Sequence, residues 1–304
     1  MNYFLSSNSA TISKSAVCSK MAISTSSLYY KPRLPAKDLE LKNQIESILC
    51  EHKAYGYRRI AIALNVNHKR VYRIMRLFGI KTKKLRRKSR FKKSKFAINS
   101  AKNLILDLAI NSPDQVWVSD FTYLSYKQRF LYLATILDAF TREIIAWNIS
   151  SRHNKELITT TLFDAINKRN SSPQIFHSDQ GSEYRSYDLI NALKSKNIKS
   201  SMSKKASPWE NGKQESFYQK FKFELEDFNS YPDQGELIEA IALQIYYYNH
   251  RRIHLALKMP PVAFYQRFKT TENLKNVAPK ITPEIELLHI PLQGDMQNNN
   301  ELII

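Results

Sequence analysis

Hydrophobic positions along the chain follow two different periods. Up to about residue 80 they recur at helical spacing. From Lys37 to Cys50, Leu41, Ile45, Ile48 and Leu49 mark one helix face. The stretch YGYRRIAIAL, Tyr55 to Leu64, predicts a second short helix entered through a glycine turn. In NVNHKRVYRIMRLFGI, Val71, Ile74, Met75 and Phe78 share a face. Lys69, Arg70, Arg73 and Arg76 fall largely on the other, and Gly79 suits the helix end. Upstream, AVCSKMAISTSSLYY carries a weaker signal for a helix pair.

From about residue 113 the period shortens. QVWVSDFTYLSY alternates apolar and polar residues, and RFLYLATILDAF and EIIAWNIS follow as two more strands. Their short connections predict an antiparallel meander. Next come a helix from Asn154 to Arg169, a strand in QIFHSD, a helix from about Ser186 to Lys196 and a strand in IKSSMS. A long helix follows from about Trp209 to Phe228, and a last helical region from Gly235 to Asn249. This order predicts an α/β fold, a mixed sheet with flanking helices as in ribonuclease H-like proteins, preceded by an all-α region. The tail after Thr270, rich in Asn, Gln and Pro, reads as irregular. The expected domains are a helical region 1–80, a basic arm 81–112, a core 113–230, a helical extension 231–270 and the tail 271–304.

Charge sharpens this division. The chain of 304 residues carries a net charge of +20, and residues 1–112 hold 24 Lys+Arg against 5 Asp+Glu. Lys81 to Lys95 contains ten basic residues and no acid. Such a block suits either a solvated linker or a clamp on phosphates, and the overall excess points to a polyanionic partner. A short helix, a turn and a helix with apolar and basic faces form the pattern of helix-turn-helix DNA binding. The same pattern also describes an ordinary amphipathic helix. Arg58, Arg59, Lys69, Arg70 and Arg73 are the candidate DNA contacts.

Other classes drop out. There is no long uncharged apolar run, no apolar middle for a signal peptide, and neither a GxxxxGK[ST] loop nor a GxGxxG turn. Two cysteines, Cys18 and Cys50, build neither a disulfide framework nor an all-cysteine zinc site.

Three carboxylates remain as candidate chemistry. Asp120 sits inside the first strand, Asp179 ends the fourth, and Glu215 lies on the long helix with Gln219, Lys222 and Glu226, opposite Phe217, Phe221 and Leu225. Taken singly, each has an ordinary structural use. Together they can converge on one point, where hard cations would be needed to hold them. Glu210 also lies near the start of this helix, about 140° round from Glu215, where the helix dipole alone favours it. Glu215 is therefore the candidate ligand. His177 either supports the site or packs in the core; Asn211 can reach DNA or the metal shell; Asp138 reads as a turn cap at AFTR. YYYNHRRIHLAL interleaves rings with Arg251 and Arg252, which suits a DNA strand or a closing helix.

Asp179 and Glu215 are separated by 35 residues, and Lys222 follows Glu215 by seven. This resembles the D,D(35)E signature of retroviral integrases and bacterial insertion-sequence transposases. WVSDFTYL, YLATILDAFTREIIAW, HSDQGSEY, SMSKKASPWENGKQESFYQKFK and YNHRRIHLAL resemble the second-reading-frame transposase of the frameshifting insertion-sequence family. The likeness runs from about Lys37 to Phe268 and includes the helix-turn-helix segment. The retroviral His/Cys zinc module is missing, as in the bacterial branch. The resemblance implies a DDE-type polynucleotidyl transferase with Asp120, Asp179 and Glu215 as catalytic residues and ligands of two Mg²⁺ or Mn²⁺ ions. It implies cleavage at element ends, strand transfer of the 3′-hydroxyl, and Lys222 on a DNA phosphate. Its expected partners are double-stranded DNA of ends and target, further copies of itself on DNA, and an upstream-frame product, in the cytoplasm at the nucleoid and without a membrane. A structure-selective nuclease of the same fold and a silent DNA-binding regulator are the rival readings.

Overall fold

The computed structural model describes residues 13–29, 34–83, 102–152, 154–203, 212–225 and 227–277. The helical third opens with α1 (Lys14–Lys20) and α2 (Thr25–Tyr29), the helix pair of the weaker signal. It continues with α3 (Leu34–Glu51), α4 (Tyr57–Ala63) and α5 (His68–Leu77). The apolar stripes of the last three meet in a small core of Leu41, Ile45, Tyr55, Ile60, Val71, Ile74 and Met75. Asn67 caps α5 by accepting the Lys69 N–H. The helix ends where Gly79, at φ +64°, lets the Ile80 N–H reach the Met75 carbonyl at 2.8 Å. Phe78, expected on the apolar face, is exposed, because the chain turns away at this cap.

The α/β part holds β1 (Val116–Tyr126), β2 (Arg129–Asp138) and β3 (Ile144–Ser150), then α6 (Lys155–Arg169), β4 (Ile175–Ser178), α7 (Tyr187–Ser195), β5 (Lys199–Met202), α8 (Gly212–Leu225) and α9 (Gln234–His250). The sheet order is β3-β2-β1-β4-β5. The first three strands form the antiparallel meander, and β4 and β5 run parallel to β1. This is the expected ribonuclease H-like mixed sheet.

Alternation along the strands builds two cores. On one face Trp117, Ala134, Ile136 and Phe176 meet Ile158 and Leu162 of α6 and Leu189 and Leu193 of α7. On the other, Leu124, Leu131 and Leu133 meet Phe217 and Phe221 of α8 and Leu237, Ile241 and Ile245 of α9. Each such apolar side chain contributes about 1.5–3 kcal/mol on burial. Part of the expected basic arm also packs: Leu104, Ile105, Leu108 and Ile110 lie against Val116, Val118 and Ile175. Asp138 is the turn cap expected of it, with its carboxylate accepting the N–H groups of Phe140, Thr141 and Asp114.

The chain divides into one compact unit through Phe264 and a second from Tyr265. Helix α10 (Pro261–Val277) includes residues 271–277 of the expected tail, and the rest of that tail lies outside the described residues. Among the described residues no helix is long and apolar enough to cross a membrane.

Candidate active site

Parallel pairing of β1 with β4 brings two of the candidate carboxylates together. Val118 pairs with His177, and extending that register two residues sets Asp179, just past β4, beside Asp120. Asp120 is half-buried, and its Oδ1 accepts the Phe121 N–H at 2.9 Å. Its carboxyl is pushed up to about 8, first by burial and then by the Asp179 carboxylate. Glu215 pushes the same way, while the Phe121 N–H and Lys222 oppose. Asp120, Asp179, Glu215 and Lys222 thus share one electrostatic neighbourhood. Among the described residues no group of three or more His, Cys, Asp or Glu is already gathered as a metal site.

Local structure fixes each group. Asp179 Oδ1 accepts the Gly181 N–H at 2.9 Å, closing the turn after β4. A Cβ at Gly181 would stand 2.7 Å from Glu183 Oε2 and 3.1 Å from Asp179 Oδ1, so any larger residue here would displace these two carboxylates. Glu183 is a fourth carboxylate, buried beside the site, with Ser182 Oγ donating to it at 2.9 Å. Glu215 is exposed in the first turn of α8, and partial burial raises its carboxyl.

Helix α8 is bolted to the sheet beneath Asp120. The Tyr218 hydroxyl donates to the Asp120 carbonyl at 2.7 Å and sits 2.9 Å from Thr135 Oγ1. The Gln214 amide donates to Thr135 Oγ1 and, at 3.3 Å, to its carbonyl. Sequence reasoning missed both anchors; the apolar neighbours of Tyr218 make it read as core. Lys222 Nζ donates to the Tyr123 carbonyl at 2.8 Å and lies 5.0 Å from that ring's centroid. His177 is fully buried, with Nδ1 2.9 Å from Ser201 Oγ, so it joins β4 to β5. Asn211, Glu210 and Glu226 lie outside the described residues.

The basic candidates separate into two groups. Arg58, at the start of α4, and Lys69, at the start of α5, are exposed, and Arg58 lines a cavity of about 710 Å³ with His68, Leu255 and Lys258. Arg70 is half-buried, and Arg73 reaches the buried Asp38 at 2.7 Å. Arg59 turns inward: its Nε donates to the Ile253 carbonyl at 2.9 Å, and its guanidinium lies over the Tyr55 ring. Such a group is spent on packing rather than on a free DNA-facing surface.

YYYNHRRIHLAL is the closing element, not an open DNA groove. Asn249 is buried and pairs with both the N–H and the carbonyl of Ile144, each at 2.9 Å, as a strand would. Arg252 is buried against Glu224 at 2.7 Å. Tyr247 meets His52 Nδ1 at 2.8 Å, and the Ile253 N–H donates to Tyr55 Oη at 2.7 Å. Arg251 stays exposed and reaches Glu51 at 3.3 Å. This segment therefore ties the helix-turn-helix region to the sheet.

Known protein families match several stretches of the chain. Residues 110–208 and 196–261 match family patterns described as Integrase core domain, and residues 36–89 match one described as HTH-like domain. The chain is 34% identical over 239 residues to a protein of Lactococcus lactis subsp. lactis (strain IL1403), named "Transposase for insertion sequence element IS904". That match covers 76% of this chain and 94% of the relative. It is 32% identical over 253 residues to "Putative transposase InsK for insertion sequence element IS150" of Escherichia coli (strain K12), covering 80% of this chain and 89% of that one.

Proposed function

Since the chain belongs to the bacterial insertion-sequence transposases with an integrase-type core, we propose that it cuts DNA at the ends of a mobile element and joins the freed 3′ end to new DNA. The observation that carries this reading is the parallel register of β1 and β4, which sets Asp179 beside Asp120, with Glu215 of α8 acting on the same carboxyl. The donor set is all oxygen, and a field of three carboxylates is one that hard divalent cations neutralise. Asp120, Asp179 and Glu215 would hold two Mg²⁺ or Mn²⁺ ions, which when bound supply positive charge to the attacking and leaving oxygens.

The chain's own groups set the stage for two displacements. In the first, a water oxygen bonds to phosphorus, the P–O3′ bond breaks and a 3′-hydroxyl leaves. In the second, that hydroxyl attacks another phosphodiester and releases its 3′-hydroxyl in turn. No protein nucleophile is required. The Phe121 and Gly181 N–H groups orient the two aspartates, and Tyr218 and Gln214 set α8 against β1 and β2. Lys222 positions a DNA phosphate next to them. Arg58 and Lys69, with the basic stretch 81–95, hold duplex DNA of the element ends. Assembly as an oligomer on DNA, with or without an upstream-frame product, and a place at the cytoplasmic nucleoid belong to the same reading.

The test is a strand-transfer assay with Mg²⁺ or Mn²⁺, using duplexes of the terminal repeats that flank the gene, intact and pre-cut at the 3′ end. Joining of the pre-cut end supports the proposal. Cleavage without joining points to a nuclease, and DNA binding with neither activity to a regulator.

A further inference from the structure

A second polar site lies on a different stripe of α8. Ser216 and Lys220 recur one turn apart, about 100° round the helix from Glu215 and Gln219. They line a cavity of about 250 Å³ with Arg142 and His254, walled by Phe217 and Tyr248. Three separate elements supply its polar groups: the β2–β3 turn gives the cation Arg142, α8 gives the cation Lys220, and the segment after α9 gives the neutral imidazole of His254.

Hydrogen bonding within this cavity is incomplete. Among the described residues, Arg142 Nη1 and His254 Nδ1 are buried and have no hydrogen-bond partner. Lys220 Nζ makes one bond, to Ser216 Oγ at 2.7 Å. Arg142 holds φ at +64°, a region that favours glycine, in the turn where its N–H bonds the Asp138 carbonyl and its carbonyl accepts from Tyr248 Oη. The turn therefore keeps a long cationic side chain at a strained position and aims it into the cavity.

Charge is equally unbalanced. Arg59 and Arg252 act electrostatically on Lys220 and His254 as well. The nearby carboxylates are already engaged: Glu224 by Arg252 and Gln244, and Asp138 by three backbone N–H groups. Burial and these neighbouring cations push Lys220 down to about 8 and His254 down to about 4. Buried cations without an anion are costly, and a ligand with several acceptor oxygens would satisfy both the open donors and the charge.

We propose that this cavity binds a tetrahedral oxyanion of the phosphate class, held by Arg142 Nη1, Lys220 Nζ and His254 Nδ1. The phosphate is either free or part of a DNA backbone, and only the second source rests on the transposase reading above.

Thermal unfolding of the full chain, in chelator, with inorganic phosphate titrated against chloride at equal ionic strength tests it. Wild type should gain Tm as phosphate rises, by mass action on the folded state. Lys220→Met and Arg142→Gln should each lose that response while keeping the far-ultraviolet spectrum, and Lys155→Met, on the exposed start of α6, should keep it. A second arm measures duplex binding against salt without phosphate. A log–log slope shallower by about 0.9 in Lys220→Met assigns the site to a backbone phosphate. Equal slopes, together with a phosphate response lost in the variants, assign it to free phosphate. No phosphate response in wild type with equal slopes, or a response that survives both variants, overturns the proposal.

Discussion

Asp120 and Asp179 stand at matching positions of two neighbouring parallel strands, one inside β1 and the other a single residue beyond β4. Neighbouring strands lie about 4.8 Å apart, so this register sets the two carboxylates side by side. Burial and that neighbour are the two largest causes of the raised Asp120 carboxyl. Replacing it by an amide removes the charge and keeps the shape. Asp120→Asn should unfold no lower than wild type in chelator at neutral pH, with a gain of about 1 kcal/mol or more. Asp120→Asn and Asp179→Asn should both cut strand cleavage by more than about a hundredfold, beyond the usual loss for an outer-shell partner. Calorimetry beside the cleavage assay separates the two effects; a variant that is both inactive and much less stable would refute this account.

Much of this was legible in the sequence because period and charge are local properties. The alternation in WVSDFTYL places β1, and Gly181 after HSD marks the turn that fixes Asp179. What escaped were relations between distant residues. Nothing in YNHRRIHLAL says that Asn249 pairs with Ile144, or that Arg252 is buried against Glu224. Arg59 reads like Arg58 in sequence, yet the helix turns one inward and leaves the other in solvent. Composition assigned residues 271–277 to the tail, where α10 continues past Thr270.

The catalytic glutamate follows from the same helix geometry. Glu215 acts on Asp120 and shares its side of α8 with Lys222, so Glu215→Gln should abolish cleavage and joining while duplex binding, measured by anisotropy, stays intact. Retained turnover in this variant would remove Glu215 from the site.

Tyr218 is a positioning residue under that site. Its hydroxyl joins α8 to the Asp120 carbonyl and Thr135, all in a water-poor layer. Tyr218→Phe leaves those partners short and should cost about 1–3 kcal/mol of stability. Because it shifts Glu215 relative to Asp120, turnover should fall while KM for DNA holds. A parallel loss of DNA affinity would argue against this role.

Arg58 and Arg59 should behave oppositely despite their adjacency. Arg58→Ala should weaken duplex binding and flatten its salt dependence by about one unit of slope, leaving Tm nearly unchanged. Arg59→Ala loses the bond to the Ile253 carbonyl and the stacking on Tyr55, and should lower stability by about 1–2 kcal/mol. Binding curves and unfolding curves on both variants check the contrast; equal losses of affinity would return Arg59 to the DNA-facing surface.

Lys220 gives the stability a defined pH signature. In the folded chain its amine is held near 8, against an ordinary 10.5, chiefly by burial and then by Arg252, Arg59 and Arg142, with Glu224 opposing. Below about pH 8 both folded and unfolded chains carry the proton, and the folded one bears the full cost of burying it. Between about pH 8 and 10.5 the unfolded chain binds more protons than the folded one, so stability from this group rises with pH. Lys220→Met lacks the charge at every pH. It should therefore be more stable than wild type at pH 7, and the gap should close as pH climbs through that window. Denaturant unfolding of both proteins at matched pH, compared as a difference so that other titrations cancel, measures the closure. A gap that stays constant from pH 7 to 10.5 would show that Lys220 is not held against its charge.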